Sequence, residues 1–195
     1  MDKKDIAEFF DRLAGQWDCN TVRNEDVINI ILEKGGIKKG VRVLDVACGT
    51  GVLFPDYYSR GADVTGIDIS ARMVKAAKIK FPDAEIICGD AESFNFPEKY
   101  GAVMIYNAFP HFANPEKLFE NLSSALADNG RLSVAHGMSE KALEECHSGS
   151  AKNVSLPLPS KEILADMLSV FFDVDIMISD ENMYMVSGVK KQKNS

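Results

Sequence analysis

The chain has 195 residues, 26% of them charged and 46% hydrophobic, with a formal net charge of -7. That length suits one domain, residues 1–195, able to bury a full core. The acidic balance argues against a nucleic-acid partner, whose nonspecific affinity comes from clustered Lys and Arg, and no apolar run approaches a membrane span. Taken in order, residues 4–14 carry Ile6, Phe9, Phe10 and Leu13 at helical spacing, with a break near Gly15. Val27, Ile28, Ile30, Ile31 and Leu32 give a second helix, closed by Gly35-Gly36.

The most informative stretch follows. Val41, Val43, Leu44 and Val46 have the composition of a strand covered on both faces. Gly49 and Gly51 then permit positive φ and let a ligand approach the backbone. A helix pattern follows at once, so the turn sits where α/β sheets bind their ligands, at the carboxyl end of a strand. A dinucleotide site needs a third glycine, as GxGxxG. Here Phe54 occupies that place, and Asp45 ends the strand itself. A carboxylate there repels a pyrophosphate and attracts the ammonium group of an amino acid.

Val43 to Gly51, Val-Leu-Asp-Val-Ala-Cys-Gly-Thr-Gly, resembles the first motif of the class I S-adenosylmethionine (SAM)-dependent methyltransferases, in the flavour of the ubiquinone and menaquinone biosynthesis enzymes. The resemblance covers roughly residues 5 to 135. It implies a three-layer α/β sandwich with a seven-stranded, mostly parallel sheet of order 3-2-1-4-5-7-6, strand 7 antiparallel. It also implies SAM as cofactor, S-adenosylhomocysteine (SAH) as product, and no metal. The segment Phe9 to Ala14, with Trp17 and Asp18 beyond, is similar to the amino-terminal stretch that many of these enzymes fold over the cofactor. An amphipathic helix packed on the domain is the alternative, and residues 1–36 are expected to hold these helices.

After the turn, Val52 to Arg60 forms the first crossover helix, and Asp63 to Asp68 the second strand. An acid at that strand's end, about 20 residues after the glycines, accepts ribose hydroxyls in NAD and SAM sites alike. Ser70 caps the helix carrying Met73. Ala84 to Cys88 is the third strand. By the resemblance, Asp90 and Ala91 meet the adenine, with Ile69 or Met73 lining its ring, while Asp45, Ala47, Gly49, Thr50 and Gly51 hold the methionine end; Glu92 reads as solvated. Gly101 to Tyr106 is the fourth strand. It leads into Asn107-Ala108-Phe109-Pro110, which lacks the paired prolines of base N-methyltransferases and puts Asn107 near the sulfonium. Asn114-Pro115 starts a helix that stops around Asn129-Gly130. Arg131 to Ala135 is the fifth strand, and Phe171 to Ile178 with Met183 to Ser187 closes the sheet as a hairpin.

Residues 136–160 are the segment least like the family and are expected to set acceptor specificity, as loops after strand ends do. His111, His136 and His147 fall in loops on that side and are candidates to orient or deprotonate an acceptor. Trp17 and Phe109 join them as candidate pocket residues. Zinc on His136, Cys146 and His147 has poor chelate spacing. Cys19, Cys48, Cys88 and Cys146 contain no CxxC pair, and with no signal-type start they read as reduced thiols in a cytoplasmic protein. The expectation is a methyltransferase for a small-molecule acceptor, monomer or homodimer. A nicotinamide-dependent oxidoreductase and a SAM-binding sensor without turnover are the rival readings.

Overall fold

The computed structural model describes residues 2–147 and 152–192. The strand before the glycine turn, β1 (Arg42–Val46), lies at the middle of a seven-stranded sheet. Before it come α1 (Lys3–Leu13), α2 (Trp17–Asn20) and α3 (Glu25–Lys34). After it alternate α4 (Phe54–Ser59), β2 (Asp63–Asp68), α5 (Ala71–Lys80), β3 (Glu85–Cys88) and β4 (Tyr100–Tyr106). The chain continues with α6 (Pro115–Ala125), β5 (Leu126–His136), α7 (Glu140–His147) and α8 (Lys161–Leu168), and ends in β6 (Phe172–Ser179) and β7 (Tyr184–Lys190). The order is β3-β2-β1-β4-β5-β7-β6, with β7 antiparallel to both neighbours, as the resemblance implied.

Short side chains place the helix starts. Asn24, Ser70, Asn114 and Ser160 accept from the amide three residues on, at α3, α5, α6 and α8 respectively. Period-2 alternation then sorts the strands between two cores. Leu44, Val46, Val103, Ile105, Leu132 and Val134 face α6 and α8, whose Phe119, Leu122, Leu164 and Leu168 are fully buried. Val43, Ala102, Met104 and Ala135 face Ile31, Phe54, Tyr57 and Ala77 from α3, α4 and α5.

Three boundaries differ from expectation. The helix α6 stops at Ala125, because Leu126 already has extended backbone and pairs with Tyr100; the turn at Asn129, with φ of 60°, is an irregularity inside β5. The crossover helix begins only at Phe54, with Pro55 in its first turn. A separate four-residue helix, α2, carries Trp17, too short to leave a periodic signal.

Gly66 of β2 shows how closely the glycine turn rests on the sheet. A methyl group there would lie 2.7 Å from the Cys48 sulfur and 2.9 Å from the Phe54 ring, both buried. The substitution Gly66→Ala should therefore cost about 1–3 kcal/mol by overpacking. Urea unfolding should show a lower midpoint with unchanged slope; an unchanged midpoint would mean that the turn relaxes freely.

Candidate functional site

The carboxyl ends of β1, β2, β3 and β4 open on one edge of the sheet. The loops that leave them, with the N-terminal segment laid across, enclose a cleft of about 1040 Å³, its mouth included. At its centre the chain turns sharply after β1. Ala47, Gly49 and Gly51 have φ of 57°, 56° and 79°, a run of left-handed backbone that only glycine adopts without strain. The turn is closed by the Gly51 amide donating to the Cys48 carbonyl at 2.9 Å. Gly49 lies under Trp17, whose indole nitrogen would be 3.7 Å from an added Cβ. Gly51 instead packs against Phe81 and Phe54, away from the cleft, so its role in the turn is conformational.

Two carboxylates sit beneath this turn. Asp45 is 3% exposed and makes no ion pair among the described residues. Its burial first, and the charge of Asp68 second, push its carboxyl well above the ordinary carboxylate value, against the pull of the Tyr57 hydroxyl. Asp68 is better provided for, accepting the Gly49 and Ser70 amides at 2.8 Å each. Burial outweighs those bonds and raises its pKa to about 6. Both side chains line the cleft.

The N-terminal segment is tied across the opening at three places. Lys3 reaches Asp90 at 2.7 Å and Glu92 at 2.5 Å. Asp11 accepts the Ser70 hydroxyl at 2.6 Å and the Arg72 amide at 2.9 Å, which hold its carboxyl below the usual range. Asp18 accepts the Thr50 hydroxyl at 2.6 Å and pairs with Lys80 at 2.9 Å. Between the ties, Phe10 meets Trp17 edge-on at 5.7 Å and His111 edge-on at 4.8 Å.

The expected residues divide accordingly. Asp45, Ala47, Gly49, Asp68, Ile69, Met73, Asp90, Ala91, Asn107, Trp17 and His111 all line the one cleft. Thr50 and Gly51 do not; the Thr50 hydroxyl is spent on Asp18. Asn107 has φ of 54° and accepts the Gly137 amide at 2.9 Å, joining the ends of β4 and β5. Glu92, expected to be solvated, is 2% exposed and accepts the Asn114 amide at 2.9 Å. Phe109 turns inward and stacks on Phe119 at 5.6 Å; Phe112 takes its place on the cleft wall. His136 is fully buried on the face of Leu132 and Val134, where strand alternation sets it opposite Tyr184, and it is absent from the cleft wall. The His147 side chain lies outside the described residues, as does that of Cys146.

Lys3, Ile6, Thr21 and Tyr106 line the cleft without having been singled out. Lys3 sits 87 residues from Asp90 in a start that reads only as charged, so no local pattern marks it. His111 is braced by the poorly matched segment: its Nδ1 is 2.8 Å from the Val154 carbonyl and 3.2 Å from the Ser155 hydroxyl. A carbonyl only accepts, so Nδ1 carries the hydrogen and Nε2 is the basic nitrogen of the neutral ring.

Comparison with known proteins shows what this geometry resembles. Residues 44–134 match the family described as methyltransferase domain. The chain is 31% identical over 147 residues to a demethylmenaquinone methyltransferase of Renibacterium salmoninarum, covering 69% of this chain and 60% of the relative. It is 26% identical over 148 residues to a ubiquinone biosynthesis O-methyltransferase of Coxiella burnetii, covering 68% and 61%. It thus spans about three fifths of these relatives. The fold is shared with the magnesium protoporphyrin IX methyltransferase of Synechocystis crystallised with SAH, at a TM-score of 0.72, 18% identity, and coverage of 98% of this chain and 100% of that one. Matched domain, strand order and glycine turn agree: over residues 44–134 the chain is similar to the SAM-dependent methyltransferases, and it shares their fold.

Proposed function

We propose that this protein transfers a methyl group from SAM to a small-molecule acceptor. The observation that carries the reading is Asp45: a carboxylate this buried, facing a cleft and without an ion-pair partner, fits a ligand that brings its own cation. An α-ammonium group does so, and two phosphates would not. In this reading Asp45, Ala47 and Gly49 hold the methionine end, Asp68 the ribose, and Asp90 and Ala91 the adenine against Ile69 and Met73. Asn107 stands at the sulfonium. Bound there, SAM supplies an electrophilic methyl whose leaving group is a neutral thioether, so no general acid is required. The chain's own work is alignment and exclusion of water, which together account for about 7–11 kcal/mol in well-oriented reactions.

Calorimetry tests the cofactor. SAH should bind and NAD should not. Asp68, with its pKa near 6, is half protonated at that pH, and only the carboxylate form accepts two hydroxyls. Affinity for SAH should therefore climb as pH rises through about 6, and Asp68→Asn should flatten the climb. A fall over the same window would remove Asp68 from the ribose.

His111 is the histidine we assign to the acceptor, because it lines the cleft and its tautomer makes Nε2 the base. Residues 136–160 then act on specificity through that ring, Val154 and Ser155 holding it from behind. With labelled SAM and a metabolite extract, His111→Gln should keep SAH affinity while slowing methyl transfer by about 10²–10⁴-fold. Equal turnover would leave His111 a packing residue.

Residues 2–21 act as a lid in the same reading. Lys3→Met would leave Glu92 buried with the Asn114 amide and no cation. Amide exchange in α1 should quicken while β1 and β4 stay protected, and SAH should dissociate faster; unaltered exchange would mean that the other two ties suffice.

A further inference from the structure

Among the described residues the cleft wall carries one phenol, that of Tyr106. It is the last residue of β4, half-buried, and it stands beside Asn107. We infer that its hydroxyl donates a hydrogen bond to the methyl acceptor. Tyr106 would thereby select an acceptor that turns a lone pair, on oxygen or nitrogen, toward the end of β5. The inference rests on the methyl-transfer reading above and adds a second polar contact to the one assigned to His111.

The ring reaches across to the residue that follows β5. A methyl group on Gly137 would collide with the Tyr106 hydroxyl and stand 3.3 Å from the ring carbon that bears it. The phenol thus occupies the place that a side chain at 137 would need. Gly137 in turn donates its amide to the Asn107 Oδ1 at 2.9 Å. A backbone N–H only donates, so the Asn107 oxygen faces Gly137 and its NH2 is left for the phenol oxygen. Burial raises the Tyr106 phenol above its ordinary value, and the Asn107 amide pulls against that. An oxygen that accepts from Asn107 keeps its own proton to give, and among the described residues that proton finds no acceptor.

Asn107 is held where this needs it. It is a non-glycine residue with φ of 54°, and its backbone amide donates to the Ala135 carbonyl at 2.9 Å. Backbone and side chain together tie the ends of β4 and β5, and the phenol lies against that tie. The charged groups that act on the phenol are Arg23, Asp56 and Glu25, which pair with one another at 2.9 Å; Tyr57 is its titratable neighbour on α4. A packing role requires none of this, since phenylalanine fills nearly the same volume with no polar atom to satisfy. Once an acceptor expels water, a phenol proton facing no lone pair is left unpartnered, and that loss separates one acceptor from another.

Two replacements at this position test the role. Tyr106→Phe removes only the oxygen. With labelled SAM and serial dilutions of a metabolite extract, it should slow methyl transfer at limiting extract about tenfold, the scale of one hydrogen bond, while calorimetry shows unchanged affinity for SAH. A 3,5-difluorotyrosine placed at position 106 alone ionises at lower pH than tyrosine, and a phenolate has no proton to give. The alkaline limb of the transfer rate should therefore move to lower pH, which a packing role would not produce. An undiminished rate for Tyr106→Phe overturns the inference. So does an alkaline limb that stays in place, or a fall in SAH affinity that accounts for the slower transfer. Failure of the wild type to bind SAH, or to label any component of the extract, would instead overturn the methyl-transfer reading, and this inference with it.

Discussion

The cleft is built around one carboxylate, Asp45, that no Lys or Arg among the described residues pairs with. Asp45 stands at the end of the central strand, and alternation turns it toward the α3–α4 side of the sheet, beside Tyr57, beneath a turn of left-handed backbone. Burial makes ionisation costly there, and Asp68 adds like charge instead of relief. In a purely structural position a hydrophobic residue would be more stable. The strain at Ala47 points the same way, since an alanine at φ of 57° persists only where the surroundings impose it. Cost concentrated in so few residues at the centre of a cleft is the usual mark of a ligand site.

The N-terminal segment lies across that site. Its three polar ties go to the ends of three different strands' loops: Asp18 to the turn after β1, Asp11 to the helix start after β2, and Lys3 to the acids after β3. Each surface ion pair alone contributes little. Their distribution matters more, because a segment pinned at three separated points, two on α1 and one on α2, cannot swing away without losing them together. Glu92 shows the dependence most clearly, as its burial is tolerable only with Lys3 in place.

What the sequence disclosed was whatever is encoded locally. The strand-turn-helix at Val43 to Gly51, the acid ending β2 and the cap at Ser70 each lie within a few residues of the feature they determine, and with the resemblance they yielded the strand order. Residues whose surroundings come from afar were misread. Glu92 looked solvated because Lys3 and Asn114 are remote in the chain. His136 looked like a loop residue because β5 runs one residue further than its apolar pattern, and that residue decides whether the ring faces solvent or Tyr184. Phe109 and His111 are two apart in a single 3-10 turn, which sends one ring into the core and the other to the cleft. No periodicity distinguishes them. The start of β5 was hidden for a different reason: Asn129-Gly130 is a strong stop signal, and it marks a bend within the strand, not the end of the helix before it.

The position of His111 joins these observations. It is touched by Phe10 of the N-terminal segment, sits in the loop after β4, and is anchored by Val154 and Ser155 of the segment least like the family. Two of the aromatic walls of the cleft, Phe10 and Trp17, belong to the N-terminal segment. The cleft therefore has these walls only with that segment laid across it. On the methyl-transfer reading proposed above, enclosing the donor and completing the acceptor's surroundings are a single event.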